Sequence, residues 1–160
     1  MAIRTIREEG DEILIKKSKV VENVDDKIRA LAQDMMDTMH KFNGVGLAAV
    51  QVGILKRVIV IDTGEKKEQF VLINPEIIKE KGEQECEEGC LSFPNKFGKI
   101  IRPAEVVVVA LNENGKKIKI TAKGLLAQAI SHEVDHLNGE LFIDKIIPGS
   151  LELIDPEEQK

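Results

Sequence analysis

The five residues HEVDH, at positions 132–136, carry the strongest chemical signal in the chain. His132 and His136 are four residues apart, so in a helix their imidazoles lie on one face and can reach a single metal ion. Glu133 lies about 100° around the helix, where its carboxylate can take a proton from metal-bound water and return it to a leaving group. The pattern predicts a hydrolytic metal site. The alternative is a pair of hydrogen-bonded core histidines.

A catalytic metal of this kind needs a third protein ligand and one open coordination position. The residue six positions after His136 is Phe142, which cannot bind a metal. Acidic candidates follow downstream at Glu152, Glu157 and Glu158, in a segment that we expect to fray. These carboxylates are therefore weak candidates for the third ligand.

Cys90 is a better candidate, because a thiolate beside two imidazoles forms a His2Cys site with room for water. Its segment, EEGCLSFP at 87–94, follows closely after a second cysteine, Cys86. The two thiols with both histidines would make a closed Cys2His2 site that leaves no position open. We favour Cys90 alone, since Gly89 and its acidic neighbours give the two thiols different surroundings.

The run GVGLAAVQVG at 44–53 formally matches the G-x-G-x-x-A dinucleotide fingerprint. It follows a predicted helix and precedes a predicted strand, which is the wrong context for that fingerprint. It can be interpreted as a helix end followed by a flexible turn. It can also be interpreted as the strand-like wall of a cleft, in which Gln51 donates a hydrogen bond to a developing oxyanion.

Two helices are predicted, at 25–42 and 123–138, from apolar residues that recur at helical spacing. The second helix is apolar on two sides, which predicts a central position among sheets. One side carries Leu126, Ile130, Val134 and Leu137, and the other carries Leu125, Ala129, His132 and His136.

Strands are predicted at 57–62, 69–78, 105–111 and 116–121, with the last two joined in a hairpin at Asn114-Gly115. Pro75 indicates an edge position or a bend in the second strand. The elements do not alternate regularly, so an α+β fold is favoured over a parallel sheet. We expect one domain over 1–160, with a frayed tail at 148–160.

Composition excludes several classes of protein. The 160 residues, 42% hydrophobic and 32% charged, are typical of one globular domain. The net charge of −5 argues against nucleic-acid binding through phosphate neutralisation. The longest uncharged stretch, 43–55, is too short to span a bilayer, and the start has no secretory pattern, so we expect no membrane association. The 2 cysteines exclude a disulfide scaffold and favour a cytoplasmic location.

Three segments together resemble the signature motifs of the peptide deformylases: GVGLAAVQ at 44–51, EGCLS at 88–92 and HEVDHLNG at 132–139. The similarity extends from about Ile3 to Ile146 and is to the compact bacterial type. It implies an α+β fold with antiparallel sheets around a central helix that carries the HEVDH motif, plus an N-terminal helix. It also implies an enzyme that removes the N-formyl group from the formyl-methionine of nascent polypeptides and releases formate.

The resemblance implies roles for the residues around the metal. Cys90, His132 and His136 would bind one divalent ion, which in the family is iron(II) by preference, with zinc, nickel or cobalt accommodated. Glu133 would act as general acid and base on metal-bound water. The protein would act as a monomer in the cytoplasm on nascent chains at the ribosome, without binding nucleic acid directly.

Further roles concern the substrate. Gln51 and the backbone N–H of Leu91 would hold the formyl oxygen as it becomes an oxyanion. The residues implied in substrate binding are Gly44, Val45, Gly46, Gly89, Gln128 and Ala129. Gly46 would keep the cleft wall thin, while Val45, Ala129 and the stem of Gln128 would line the methionine pocket.

The chain departs from the family pattern at three positions. Val50 replaces a proline, so we expect an extended but less rigid wall before Gln51. Ser131 replaces a glutamine next to the first histidine, and Gln128 is more polar than the usual aliphatic residue. Two other functions remain to be tested: a zinc peptidase that cuts internal peptide bonds, and a metal-binding module without turnover.

Overall fold

The fold is α+β, as predicted, with antiparallel sheets arranged around a central helix. A computed structural model of the protein describes residues 2–66 and 68–154. Its α-helices are α1 (Asp26–Lys41) and α2 (Gly124–Leu137). Its strands are β1 (Gly46–Ala48), β2 (Val58–Asp62), β3 (Gln69–Lys81), β4 (Gln84–Cys90), β5 (Phe93–Arg102), β6 (Glu105–Leu111), β7 (Lys117–Lys123) and β8 (Glu152–Leu153). Within the described ranges, neither helix is long and apolar enough to cross a bilayer.

A five-stranded antiparallel sheet, in the order β1-β2-β3-β6-β7, separates the two helices. Successive side chains of a strand point to opposite faces, and β2 shows the result. Ile59 and Ile61 pack in the same core cluster as Ile130 of α2. Val58 and Val60 pack in the other main cluster, with the methionines of α1. The run of apolar residues in this strand is therefore explained by burial on both faces.

The bend indicated by Pro75 is a bulge in β3, a strand with neighbours on both sides. The pairing with β6 shifts register between Ile73 and Glu76, and Asn74 has a positive φ of 54°. The Asn74 side chain bonds the backbone of Val21 as both donor and acceptor, at 2.8 Å each. Since proline lacks an N–H, the bulge accommodates it inside the sheet.

The second of the antiparallel sheets has three strands in the order β4-β5-β8, and these strands were not predicted from the sequence. It includes part of the segment expected to fray, because Phe97 pairs with Glu152 and the N–H of Ile154 donates to the carbonyl of Asn95. Residues 152–154 are thus tied to this sheet by backbone hydrogen bonds, and Ser150 by its hydroxyl, which accepts from the N–H of Lys99 at 3.0 Å. Residues 155–160 of the expected tail lie outside the described residues.

Helix α2 lies between the two sheets, as its two apolar sides indicated. Leu126, Ile130, Val134 and Leu137 are buried against the five-stranded sheet. On the other side His132 and His136 are buried, whereas Leu125 is half exposed at 49%. That side is therefore buried at its centre and exposed at the first turn of the helix.

Gly139 ends α2 with a left-handed φ of +74°. A Cβ at this position would lie 2.4 Å from the carbonyl oxygen of Ile15, so the chain that leaves the helix passes directly against the N-terminal segment. Arg57 supports the same end by donating to the carbonyl of Leu137 at 3.1 Å. Glycine is required here by both conformation and space.

We predict that Gly139→Ala lowers the free energy of unfolding by at least about 3 kcal/mol, because it combines left-handed strain with a backbone clash. Gly115→Ala is the matched control: its φ is +76°, but a Cβ would meet nothing closer than Val24 at 3.7 Å. We expect the control to lose about 1 kcal/mol. Denaturant unfolding measures both, and equal losses would contradict the proposed close approach.

Candidate functional site

The sulfur and nitrogen ligands predicted from the sequence meet in one cluster. Helix α2 stacks His132 and His136 one turn apart, with ring centroids separated by 4.9 Å. Cys90, at the end of β4, places its Sγ 3.3 Å from Nε2 of His136. Candidate ligand atoms of the three residues all lie within 4.8 Å of one another. The sheet and the helix thus bring together residues that are more than 40 positions apart in sequence.

The alternative ligands are placed elsewhere. Cys86 is buried in an apolar cluster with Phe93, Ile100 and Phe142, against which Cys90 also packs, but Cys86 is not in the group of candidate ligand atoms. Glu152 is exposed on β8, while Glu157 and Glu158 lie outside the described residues. Within the described residues, the group able to hold a metal ion contains Cys90 and the two histidines alone.

Cys90 reaches the histidines from the end of β4. Alternate residues of a strand share a face, and Cys90 packs against the same apolar cluster as Cys86, while Glu88 between them bonds His132. The register between β4 and β5 shifts between Gly89 and Cys90, where the strand ends. A Cβ on Gly89 would lie 2.6 Å from Cε1 of Phe97. Glycine at 89 therefore leaves room for the Phe97 ring to pack against β4 at the residue that precedes Cys90.

Glu88 is a buried residue that the sequence reasoning did not assign to the site. Its carboxylate accepts hydrogen bonds from Nδ1 of His132, from the Nε and Nη2 of Arg102 at 3.1 and 2.6 Å, and from Nε2 of Gln128 at 3.2 Å. The third nitrogen of Arg102, Nη1, donates to Asp135 at 2.6 Å. The network therefore joins β4, β5 and α2 through charged groups.

Charge balance keeps Glu88 ionised despite its burial. Burial alone would raise the pKa of this carboxyl, but hydrogen bonds from His132 and Arg102 outweigh it and hold the pKa at about 2. An ionised carboxylate can only accept hydrogen bonds, so Nδ1 of His132 carries the hydrogen and donates it to Glu88. The other ring nitrogen, Nε2, is consequently the one available to a metal.

The charged groups around Cys90, His132 and His136 favour a positive charge at this cluster. Burial lowers the pKa of His132, but the charge on Glu133 and contacts with Cys90 and Glu88 outweigh it and raise that pKa well above its ordinary value. Burial and the charge on His132 lower the pKa of His136. The surroundings thus stabilise one positive charge among the three candidate ligands. One sulfur and two imidazole nitrogens suit a divalent transition metal with one open position.

Glu133 lies beside the cluster without belonging to it. Its Oε2 is 3.9 Å from Nε2 of His132, and its buried Oε1 has no hydrogen-bond partner among the described residues. Burial is the main cause that raises its pKa to about 7. A Cβ on Gly46 would lie 2.7 Å from Oε2, so glycine at 46 makes room for this carboxylate.

Gln51 lies in a 3₁₀ turn, Ala49–Val52, and the expectation of an extended wall at Val50 and Gln51 is wrong. The strand-like part of the wall is the short β1. The turn allows the backbone N–H of Ala48 to donate to Oε1 of Gln51 at 2.9 Å. Its Nε2 then donates to Oγ of Ser92 at 3.1 Å and lies 3.4 Å from Sγ of Cys90. The carboxamide is therefore fixed with its donor end toward the cluster.

A cleft of about 990 Å³ opens onto the cluster. Its lining includes all six residues assigned to substrate binding, namely Gly44, Val45, Gly46, Gly89, Gln128 and Ala129, together with Cys90, Leu91, His132 and Glu133. Gln51 and His136 are not part of the lining and lie behind it. Gln128 donates to the carbonyl of Glu87 at 3.1 Å as well as to Glu88, so its head group is held against β4.

Comparisons with known proteins point to one family. The family described as polypeptide deformylase matches residues 3–151. The peptide deformylase of Acetivibrio thermocellus is 57% identical over 147 residues, which cover 92% of this chain and 85% of that protein. That of Alkaliphilus metalliredigens is also 57% identical, over 92% of this chain and 99% of its own length.

Solved structures agree with the sequences. The crystal structure of a peptide deformylase from Legionella pneumophila superposes with a TM-score of 0.88 at 49% identity, covering 92% of this chain and 88% of that one. The peptide deformylase from Thermotoga maritima gives a TM-score of 0.88 at 40% identity, covering 92% of this chain and 100% of its own. The likeness therefore extends over the sheets, the central helix and the cleft.

We predict that Glu88→Gln weakens metal binding by about 10- to 100-fold, because a neutral amide no longer holds Nδ1 of His132 as a carboxylate does. Competition with a chelator of known affinity measures the dissociation constant. Glu87→Gln makes the same chemical change one residue away at an exposed position and should leave the constant unchanged. Equal affinities for both variants would show that Glu88 does not orient the ligand.

Proposed function

The chain belongs to the peptide deformylase family, and on that premise we propose that it hydrolyses the N-formyl group of formyl-methionine on nascent polypeptides. The observation that carries the proposal is the cluster of Cys90, His132 and His136 beside a cleft that is also lined by Glu133, whose Oε1 has no hydrogen-bond partner among the described residues. We further propose that it acts as a monomer in the cytoplasm, on chains emerging from the ribosome.

The metal would be held by Sγ of Cys90 and by Nε2 of His132 and His136. We propose iron(II) as the native ion, with zinc, nickel or cobalt as alternatives that the same ligands accommodate. When bound, such an ion polarises the formyl carbonyl and makes water more acidic. The protein contributes the ligand geometry, through the position of Cys90 at the end of β4 and the hydrogen bond from His132 to Glu88.

Glu133 would move the proton. Its Oε1 is free of other hydrogen bonds and its pKa is near 7, so the carboxylate can both accept and release a proton at neutral pH. It would accept a proton from the attacking water as a C–O bond forms to the formyl carbon. It would then deliver that proton to the amine nitrogen as the C–N bond breaks. The products are formate and a peptide with a free N-terminal amine.

The negative charge that develops on the formyl oxygen would be stabilised by two donors. Leu91 lies in the turn after β4 and lines the cleft, and its backbone N–H makes no hydrogen bond within the described residues. Nε2 of Gln51 reaches the same cluster from behind the lining, oriented by Ala48. Fixed donors of this kind act without reorganisation during the reaction.

The substrate would enter along the glycine-containing segment at 44–46. A Cβ on Gly44 would lie 2.8 Å from Cδ1 of Leu91, and one on Gly46 would meet Glu133, so side chains at either position would narrow the cleft. Val45, Ala129 and the stem of Gln128 would contact the methionine side chain. Gly89 contributes through its packing on Phe97, which shapes the opposite wall.

We predict that wild-type protein loaded with metal under anaerobic conditions releases formate from formyl-Met peptides. Glu133→Gln should bind metal normally but lose at least about 100-fold in kcat, because an amide cannot carry the proton. The control is Glu140→Gln, an exposed residue that pairs with Lys145 at the surface. A formate-release assay with metal analysis measures these values.

Other outcomes identify the alternative functions. Cleavage of unformylated peptides at internal bonds would establish a peptidase instead. Metal binding without formate release would establish a module without turnover. Near-normal turnover of Glu133→Gln would remove the proton-transfer role from this residue.

A further inference from the structure

We infer that the N-terminal segment 4–9 is a positioning element that holds together the two oxyanion donors, Gln51 and Leu91. The inference rests on the donor roles proposed above. Residues 4–9 lie outside the three signature motifs. They would fix the positions of the two donors through backbone hydrogen bonds, each of which can be removed by a single substitution.

The two donors come from parts of the fold that are not joined by a strand ladder. Gln51 lies in the 3₁₀ turn that follows β1, at the edge of the five-stranded sheet. Leu91 lies in the turn between β4 and β5, in the three-stranded sheet. A shift of one sheet relative to the other would separate the donors, and displacement of about 1 Å can reduce a reaction rate by about 100-fold.

Segment 4–9 crosses from one turn to the other. The N–H of Arg7 donates to the carbonyl oxygen of Gln51 at 2.7 Å. Two residues later, the N–H of Glu9 donates to the carbonyl oxygen of Ser92 at 2.8 Å. Ser92 is fully buried, follows Leu91 directly, and accepts a hydrogen bond from the Gln51 side chain. The segment is therefore hydrogen-bonded to the backbone of both turns, the one that contains Gln51 and the one that contains Leu91.

Both ends of the segment are anchored. Near its start, the N–H of Arg4 donates to Oγ1 of Thr38 at 2.9 Å, and Nε of Arg4 donates to Asp34 at 3.0 Å, which ties it to α1. At its end, the bond from the N–H of Glu9 to Ser92 holds it to the second sheet, and the exposed Glu9 carboxylate adds only a weak ion pair with Lys96 on β5. Because the segment is fixed to α1 and to the second sheet, it can keep the distance between the two turns constant.

The turn at 8–11 allows one of these bonds to be removed cleanly. The N–H of Asp11 donates to the carbonyl of Glu8 at 3.0 Å, and Gly10 has a φ of +96°. A positive φ at the third residue is typical of a type II turn, in which proline is favoured at the second residue. Glu9 occupies that second position, so Glu9→Pro suits the turn and removes the N–H that bonds Ser92.

The test compares Glu9→Pro with Glu9→Ala, which loses the Lys96 ion pair but keeps the N–H. We expect kcat of Glu9→Pro to fall about tenfold, with KM, metal content and melting temperature unchanged. Glu9→Ala should remain within about twofold of wild type, since exposed ion pairs contribute little. Equal kcat for the two variants would overturn the inference. A loss of activity accompanied by loss of metal or melting temperature would also overturn it.

A second measurement separates this inference from the proposed function. The side-chain carboxamide protons of Gln51, assigned by NMR, should be shifted or broadened in Glu9→Pro relative to Glu9→Ala. Unchanged carboxamide signals would overturn the positioning role whether or not the protein releases formate. Absence of formate release by wild type, with altered signals in Glu9→Pro, would overturn the proposed reaction and leave the structural coupling established.

Discussion

The ionised carboxylate of Glu88, buried between β4 and α2, is the interaction on which the rest of the site depends. Removing a carboxylate from water costs several kcal/mol unless it is well paired. Arg102 and His132 supply that pairing, and Asp135 balances the remaining charge of the guanidinium. The same contacts join the second sheet to the central helix. The network therefore sets the relative position of the two elements that provide the candidate metal ligands.

The geometry of the cleft follows from this arrangement. Glu88, which orients His132, and Cys90, the candidate thiolate ligand, are two residues apart on β4. A shift of this strand would therefore move both groups together. The Cys90 thiol at the end of β4 lies against His136, and glycine at 46 leaves room for Glu133. Position along β4 thus distinguishes Cys86, buried among apolar side chains, from Cys90, which reaches the histidines.

The sequence predicted α1, α2 and four strands of the larger sheet well, because apolar periodicity over long runs is a strong local signal. The histidine pair and Glu133 were found from their spacing in HEVDH within a predicted helix. The strands of the second sheet were missed, since β4 and β5 are rich in glutamate, lysine and glycine and show weak alternation. Glu88 and Arg102 were missed because their partners are distant in sequence. Gln51 was expected in an extended wall, whereas the bond from Ala48 closes a turn around it.

X-ray absorption of the zinc-loaded protein tests the proposed ligand set most directly, because it counts sulfur and imidazole neighbours of the ion. One sulfur and two imidazole nitrogens are predicted, from Cys90, His132 and His136. Two sulfurs would mean that Cys86 joins a closed site. A spectrum without sulfur would mean that a carboxylate takes the place of Cys90, and the account of the site built on β4 would be contradicted.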